Sequence, residues 1–91
     1  MMLHSNKGDW VGSIEQAIEA VFQDCQYVAI AGSGGTLQLG VHRARLRIRF
    51  IRSDGAVLHT MHVSDRKKNR IAVLRFCSGK FTGFSETFQI Q

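Results

Sequence analysis

Arg43-Ala44-Arg45-Leu46-Arg47-Ile48-Arg49 is the stretch on which the fold reading turns. Four arginines recur at two-residue spacing, and a β-strand alternates its side chains between two faces, so all four fall on one face. Ala44, Leu46, Ile48 and Phe50 make the opposite, apolar face. Such a strand belongs with one side against a core and the other toward solvent or a partner.

The neighbouring segments supply its pairing. Asp54-Gly55 is a strong type I′ turn signal. A two-residue loop there sets Phe50 opposite His59, Ile48 opposite Met61 and Leu46 opposite Val63 on the apolar face. The other face pairs Arg49 with Thr60, Arg47 with His62 and Arg45 with Ser64, and Ile51 with Leu58 near the tip. No carboxylate opposes an arginine. A one-residue slip would drive arginines into the apolar set, so the pattern pins the register. Upstream, residues 27–31 and 36–41 flank Gly32-Ser33-Gly34-Gly35, a glycine-rich hairpin signal. That hairpin aligns Ile30 with Leu37 and Val28 with Leu39 on a shared face.

Helical periodicity occupies the earlier part of the chain. Trp10 or Val11, Ile14, Ala17, Ile18, Val21, Phe22 and Cys25 follow one helix face, and Glu15, Gln16, Glu19, Gln23 and Asp24 lie on the other. The spacing predicts a helix over 10–25, started either by Asp9 or by Ser13 with Gln16 as its capping-box partner. Residues 1–8 read as a flexible N-terminus and 9–91 as a single α+β domain. After the arginine hairpin, 65–70 reads as an exposed basic loop, 71–76 as a strand, 77–79 as a turn and 80–90 as a returning strand. Gly83 marks a bulge in that last strand, and Phe84, Phe88 and Ile90 suggest an inward-facing end. The expected architecture is α+β, with one N-terminal helix packed on an antiparallel five- to six-stranded meander sheet and the arginine face left outward.

Composition narrows the function classes. Ninety-one residues allow one modest core. The longest apolar run, 27–31, is far too short to cross a bilayer. The first residues have no long apolar stretch, so a cytoplasmic location is expected. In that setting Cys25 and Cys77 read as reduced, buried thiols. Charge is uneven: residues 1–41 hold one lysine against four acids, net −3, whereas 42–80 hold eleven lysines or arginines against Asp54 and Asp65, net +9. Basic character therefore belongs to the sheet region and acidic character to the helix.

Arg43, Arg45, Arg47 and Arg49, with Arg66, Lys67, Lys68 and Arg70 from the following loop and Thr60 and His62 from the paired strand, form the candidate binding surface. Phosphates suit it, because arginine forks bind them bidentately and release counterions. A solvated face is the plainer alternative, since exposed charge guards a sheet against aggregation. A stacking aromatic would strengthen the nucleic-acid case, and only Tyr27 or Trp10, carried across by the fold, could provide one. A second copy of the chain competes as partner, because the acidic helix face matches the basic face and Ile51 with Leu58 adds an apolar spot.

Other chemistry has little support. His59 and His62 point to opposite faces of a strand, and the sequence sets no distance to His42, so no metal site is expected. The glycine loop leads into a strand, unlike a phosphate-binding loop. Glu15 and Glu19 form no recognisable catalytic set, nor do Ser33, His42 and Cys77. The sequence thus predicts a non-enzymatic binding protein without cofactor. A homo-oligomeric interaction module, most simply a dimer, leads, and nucleic-acid or polyanion binding through the same ladder is the alternative.

Overall fold

The computed structural model describes residues 1–32 and 34–77. Six strands form one antiparallel sheet, in the order β2-β1-β3-β4-β5-β6. They are β1 (Met2–Ser5), β2 (Gly8–Val11), β3 (Tyr27–Gly32), β4 (Gly35–His42), β5 (Arg45–Arg52) and β6 (Val57–Val63). Helices α1 (Ile14–Gln23) and α2 (Asn69–Cys77) lie together on one sheet face, with a 3-10 turn at Arg66–Lys68 leading into α2. The α+β class and the antiparallel sheet match the expectation from sequence. The order of elements does not: a hairpin precedes the helix.

That hairpin takes up most of the expected loose terminus. Leu3 is fully buried between Trp10 on β2 and Ile30 on β3. Trp10 therefore packs onto the core from a strand and not from a helix. The helix begins only at Ile14, because Ser13 closes a full capping box: Ser13 Oγ accepts from Gln16 N at 3.1 Å, and Ser13 N donates to Gln16 Oε1 at 2.9 Å. Of the two starts the sequence offered, Ser13 is the one used. Ile14, Ala17 and Val21 are the buried stripe.

The central registers follow the apolar pattern. Val28 pairs with Leu39, Ile30 with Leu37, Ile48 with Met61 and Phe50 with His59. Val28, Ile30, Leu37, Leu39, Leu46 and Ile48 have no exposed surface. Burial of each such side chain contributes about 1.5–3 kcal/mol, which makes this row the main source of stability.

Departures cluster at turns. The β5–β6 loop spans residues 53–56, with Arg52 N donating to Ala56 O at 2.8 Å, and Ile51 pairs with Val57 instead of Leu58. A bulge then adds one residue and restores the expected register from Phe50 onward. Between β4 and β5, His42 pairs with Arg45, so Arg43 and Ala44 form the turn, with φ of 51° and 65°. Two positive φ values are the type I′ geometry that fits the twist of a hairpin. Arg43 consequently leaves the strand.

The largest correction is at residues 65–76. Asp65 caps the 3-10 turn, its carboxylate accepting from Lys67 N at 3.0 Å. Asn69, Val73 and Phe76 are buried at helical spacing in α2, where a strand was expected over 71–76. Val73 and Phe76 close the core against α1 and the sheet. The expected turn at 77–79 begins inside α2, and the strand at 80–90, with its bulge at Gly83, lies outside the described residues. So does Ser33 of the glycine hairpin, whose flanking Gly32 and Gly35 pair as anticipated.

Candidate functional site

Both described helices cover the same sheet face, and no other described element covers the opposite face. Alternation from the buried Val28, Leu37, Leu39, Leu46 and Ile48 places Tyr27, Ala29, Gln38, Arg45, Arg47 and Arg49 on that open face. Two transverse rows cross it. One runs Thr60–Arg49–Gln38–Ala29–His4, the other His62–Arg47–Gly40–Tyr27. The fold therefore brings Tyr27 across to the arginines, separated from Arg47 only by Gly40.

Gly40 has a specific use. A Cβ at this position would lie 3.2 Å from Arg47 Nη2 and 3.9 Å from Arg47 Cζ. The bare backbone is the floor on which the Arg47 guanidinium rests. Burial, and secondarily the neighbouring Arg49 charge, holds the Arg47 group below its ordinary pKa. Arg49 is also half-buried, and its Nε has no hydrogen-bond partner. Neither arginine behaves as a fully solvated surface cation.

Among the described residues the carboxylate on this face is Asp9, at the far edge beyond His4, with three strands between it and β5. The ion pairs among the described residues are His4–Asp9 at 2.9 Å, Lys7–Asp24, Arg52–Asp54 at 2.6 Å and Arg70–Glu15. None reaches Arg43, Arg45, Arg47 or Arg49. Asp54 accepts from both Nε and Nη2 of Arg52, which, with the Ala56 amide, pulls its pKa down to about 2.

The predicted basic loop separates from the ladder. Arg66 stacks its guanidinium 4.1 Å from the centre of the Phe22 ring, and Arg70 pairs with Glu15 on α1. These two arginines serve the helical layer. Lys67 and Lys68 are exposed on the 3-10 turn between them. Of the predicted surface, the structure brings together Arg45, Arg47, Arg49, Thr60 and His62, with Arg43 at the adjoining turn.

One member was missed. His42, at the end of β4, lies two strands from His62, yet their ring centres are 5.3 Å apart, tilted by 51°. Strands two places apart are separated by about 9.6 Å, so the imidazoles lean toward each other over β5. With Arg43 and Arg45 they line an open hollow of about 340 Å³. The signal available in sequence was the hairpin turn at Arg43-Ala44, which would have put His42 opposite Arg45.

Cys25 and Cys77 are free thiols packed against the core, and burial pushes Cys77 up to about 11. Among the described residues no group of three or more His, Cys, Asp or Glu could hold a metal ion, and no helix is long and apolar enough to cross a membrane. No protein-family model matches the chain, and no curated protein or solved structure matches it significantly. Function must be argued from this face itself.

Proposed function

We propose that the open sheet face binds a polyanion, and that single-stranded nucleic acid is the best fit. The carrying observation is that Arg45, Arg47 and Arg49 form a continuous line without a carboxylate partner among the described residues, while Glu15, Asp24 and Asp54 are engaged by other cations. Successive arginines emerge about 6.8 Å apart along β5, a spacing suited to tracking a charged backbone. Tyr27 supplies an aromatic surface beside Arg47, and Gln38 and Thr60 supply neutral hydrogen-bonding groups in the adjacent row. Among the described residues no helix protrudes from this broad sheet face, which suits an exposed single strand better than a duplex groove.

The test is fluorescence anisotropy with labelled oligo-dT over a salt series. Each phosphate neutralised on a single strand adds about 0.7 to the slope of log K against log salt, so three arginines add about 2. Affinity should fall roughly 20-fold between about 50 and 200 mM salt. Replacing Arg45, Arg47 and Arg49 together by Ala should remove about 2 from the slope. Absence of binding at low salt, or an unchanged slope in the triple variant, overturns the proposal.

A second reading, a homodimer, draws support from one feature. At the end of the face away from the histidines, Ala31, Thr36, Ile51 and Val57 form a transverse row, and the Leu3–Ile30 register sets Met2 beside it. Val57, Leu58, Met2 and Val11 are exposed there. The acidic helix supports it less, since Glu15 is engaged by Arg70 and Asp24 by Lys7. A sheet-on-sheet two-fold pair would also set arginine against arginine. Sedimentation decides it: a monomer at high concentration removes this reading.

A further inference from the structure

We infer that the hollow between His42, Arg43, Arg45 and His62 is a phosphate-monoester site, which receives the terminal phosphate of a nucleic-acid strand lying along Arg47 and Arg49. It rests on the polyanion reading for the strand, and on its own geometry for the phosphate.

The donor set is the first argument. Two guanidinium forks and two imidazoles converge from β4, the β4–β5 turn, β5 and β6 on one hollow of about 340 Å³. An internal phosphodiester offers one charge and two free oxygens. A terminal monoester offers a charge of about −1.5 to −2 and three acceptor oxygens, which uses more of the donors available. The volume is at the small end for a ligand site, enough for a phosphate with part of its ester group.

Charge selects the ligand's sign. Paired histidines can ligate a metal, but two arginines line the same hollow and would repel a cation, and no third ligand is at hand among the described residues. The nearest described acid in sequence to the turn, Asp54, is committed to Arg52.

Backbone geometry supports it as well. Arg43 and Ala44 both hold positive φ where glycine or asparagine would be at ease. That conformation places a second guanidinium at the mouth of a hollow already lined by Arg45 and two imidazoles. Position completes the case: the hollow is at one end of the arginine line, so a strand anchored there by its terminal phosphate would run past Arg47 and Arg49 toward the apolar row.

The experiment compares oligo-dT bearing a 5′-phosphate, a 3′-phosphate or neither, together with thymidine monophosphate, against the full chain. One of the two phosphorylated oligomers should bind at least tenfold more tightly than the unphosphorylated one. The paired variant His42→Gln with His62→Gln should abolish that preference, so that all three oligomers bind it with equal affinity. The two imidazoles should shift in NMR spectra on adding the preferred oligomer. Equal affinity of all three oligomers overturns the inference while leaving the polyanion reading intact, as does a preference that survives in the histidine variant. Thymidine monophosphate binding as tightly as the phosphorylated oligomer would also overturn it, making the ligand a free small molecule. Failure of every oligomer to bind would remove the polyanion reading too.

Discussion

Gly35 and Gly40 stand on the same strand, yet alanine should act in opposite ways at the two positions. A Cβ built at Gly35 would lie 2.3 Å from the Ile51 carbonyl oxygen, 3.0 Å from Arg52 Cα and 3.1 Å from the Ile51 carbonyl carbon. All three are backbone atoms of β5, so no side-chain rotation relieves the clash. Carbon–oxygen contacts ordinarily settle near 3.3 Å, so β5 must retreat by about 1 Å at the hairpin tip. That strains the Gly35–Arg52 and Thr36–Ile51 pairs. Overpacking of this kind costs about 1–3 kcal/mol, and reduced freedom of the unfolded chain offsets about 0.4–1 of it. A net loss of about 1–2 kcal/mol lowers Tm by roughly 4–16 °C in a chain of this size. At Gly40 the tight neighbour is the mobile end of Arg47, at 3.2 Å, while the nearest backbone atom, Gln26 O, is 3.7 Å away. Gly40→Ala should therefore melt at or slightly above the wild-type temperature, with the Arg47 guanidinium lifted off the sheet. Calorimetric melts of both variants, at one protein and salt concentration, provide the measurement. A Gly35→Ala protein as stable as wild type would refute the close-approach reasoning. A Gly40→Ala protein melting more than about 4 °C low would show that the Arg47 floor is structural.

Two further outcomes follow from the same geometry. Phe76→Ala should lower stability by about 3–5 kcal/mol, and Leu74→Ala, at a side chain 37% exposed, by far less. Urea midpoints compare them, and equal losses would contradict a helix over Asn69–Cys77, since strand alternation would bury 74 and 76 together. Asp54 has a folded pKa of about 2 against an ordinary 3.8, so its pairing stabilises fully above the higher value and is lost as pH falls through the lower. Asp54→Asn should remove that part of the acid dependence, and a carboxyl NMR titration with its midpoint near 4 would refute the pairing.

The sequence was legible where burial and periodicity agree. Leu46, Ile48 and Phe50 alternate with charged residues, so one register satisfied both faces. It was illegible where a turn lacks turn residues. Arg43-Ala44 carries neither glycine nor asparagine; strand pairing on both sides drives the backbone to positive φ against local preference. The ladder was therefore read one arginine too long, and the His42–Arg45 pairing was missed. At the other turn two displacements cancelled: a longer loop and a bulge left the core register unchanged while moving Leu58 off its expected partner. Residues 71–76 misled because Ile71 and Val73 favour strands, whereas the buried positions Asn69, Val73 and Phe76 keep helical time. The N-terminal hairpin was hidden because Leu3 and Trp10 belong to strands too short to show a period.

Charge repetition alone is weaker support for binding than its regularity suggests. Adjacent guanidinium groups about 6.8 Å apart in water repel by only about 0.6 kcal/mol, and salt reduces that further. A solvated ladder would thus be tolerable. What distinguishes this one is desolvation. Arg47 is laid on the bare backbone of Gly40, and Arg49 keeps Nε out of water with no acceptor. An unsatisfied buried donor costs about 1–3 kcal/mol, more when charged. Arginines serving only solubility would extend into water and avoid that cost. On the proposed reading, a phosphate above β5 would supply the missing acceptor as the side chains rise to meet it, and the anion would satisfy a deficit that already exists in the free protein. By the same reasoning the exposed Lys67 and Lys68, which carry no such deficit, are the basic residues whose removal should matter least to specific binding.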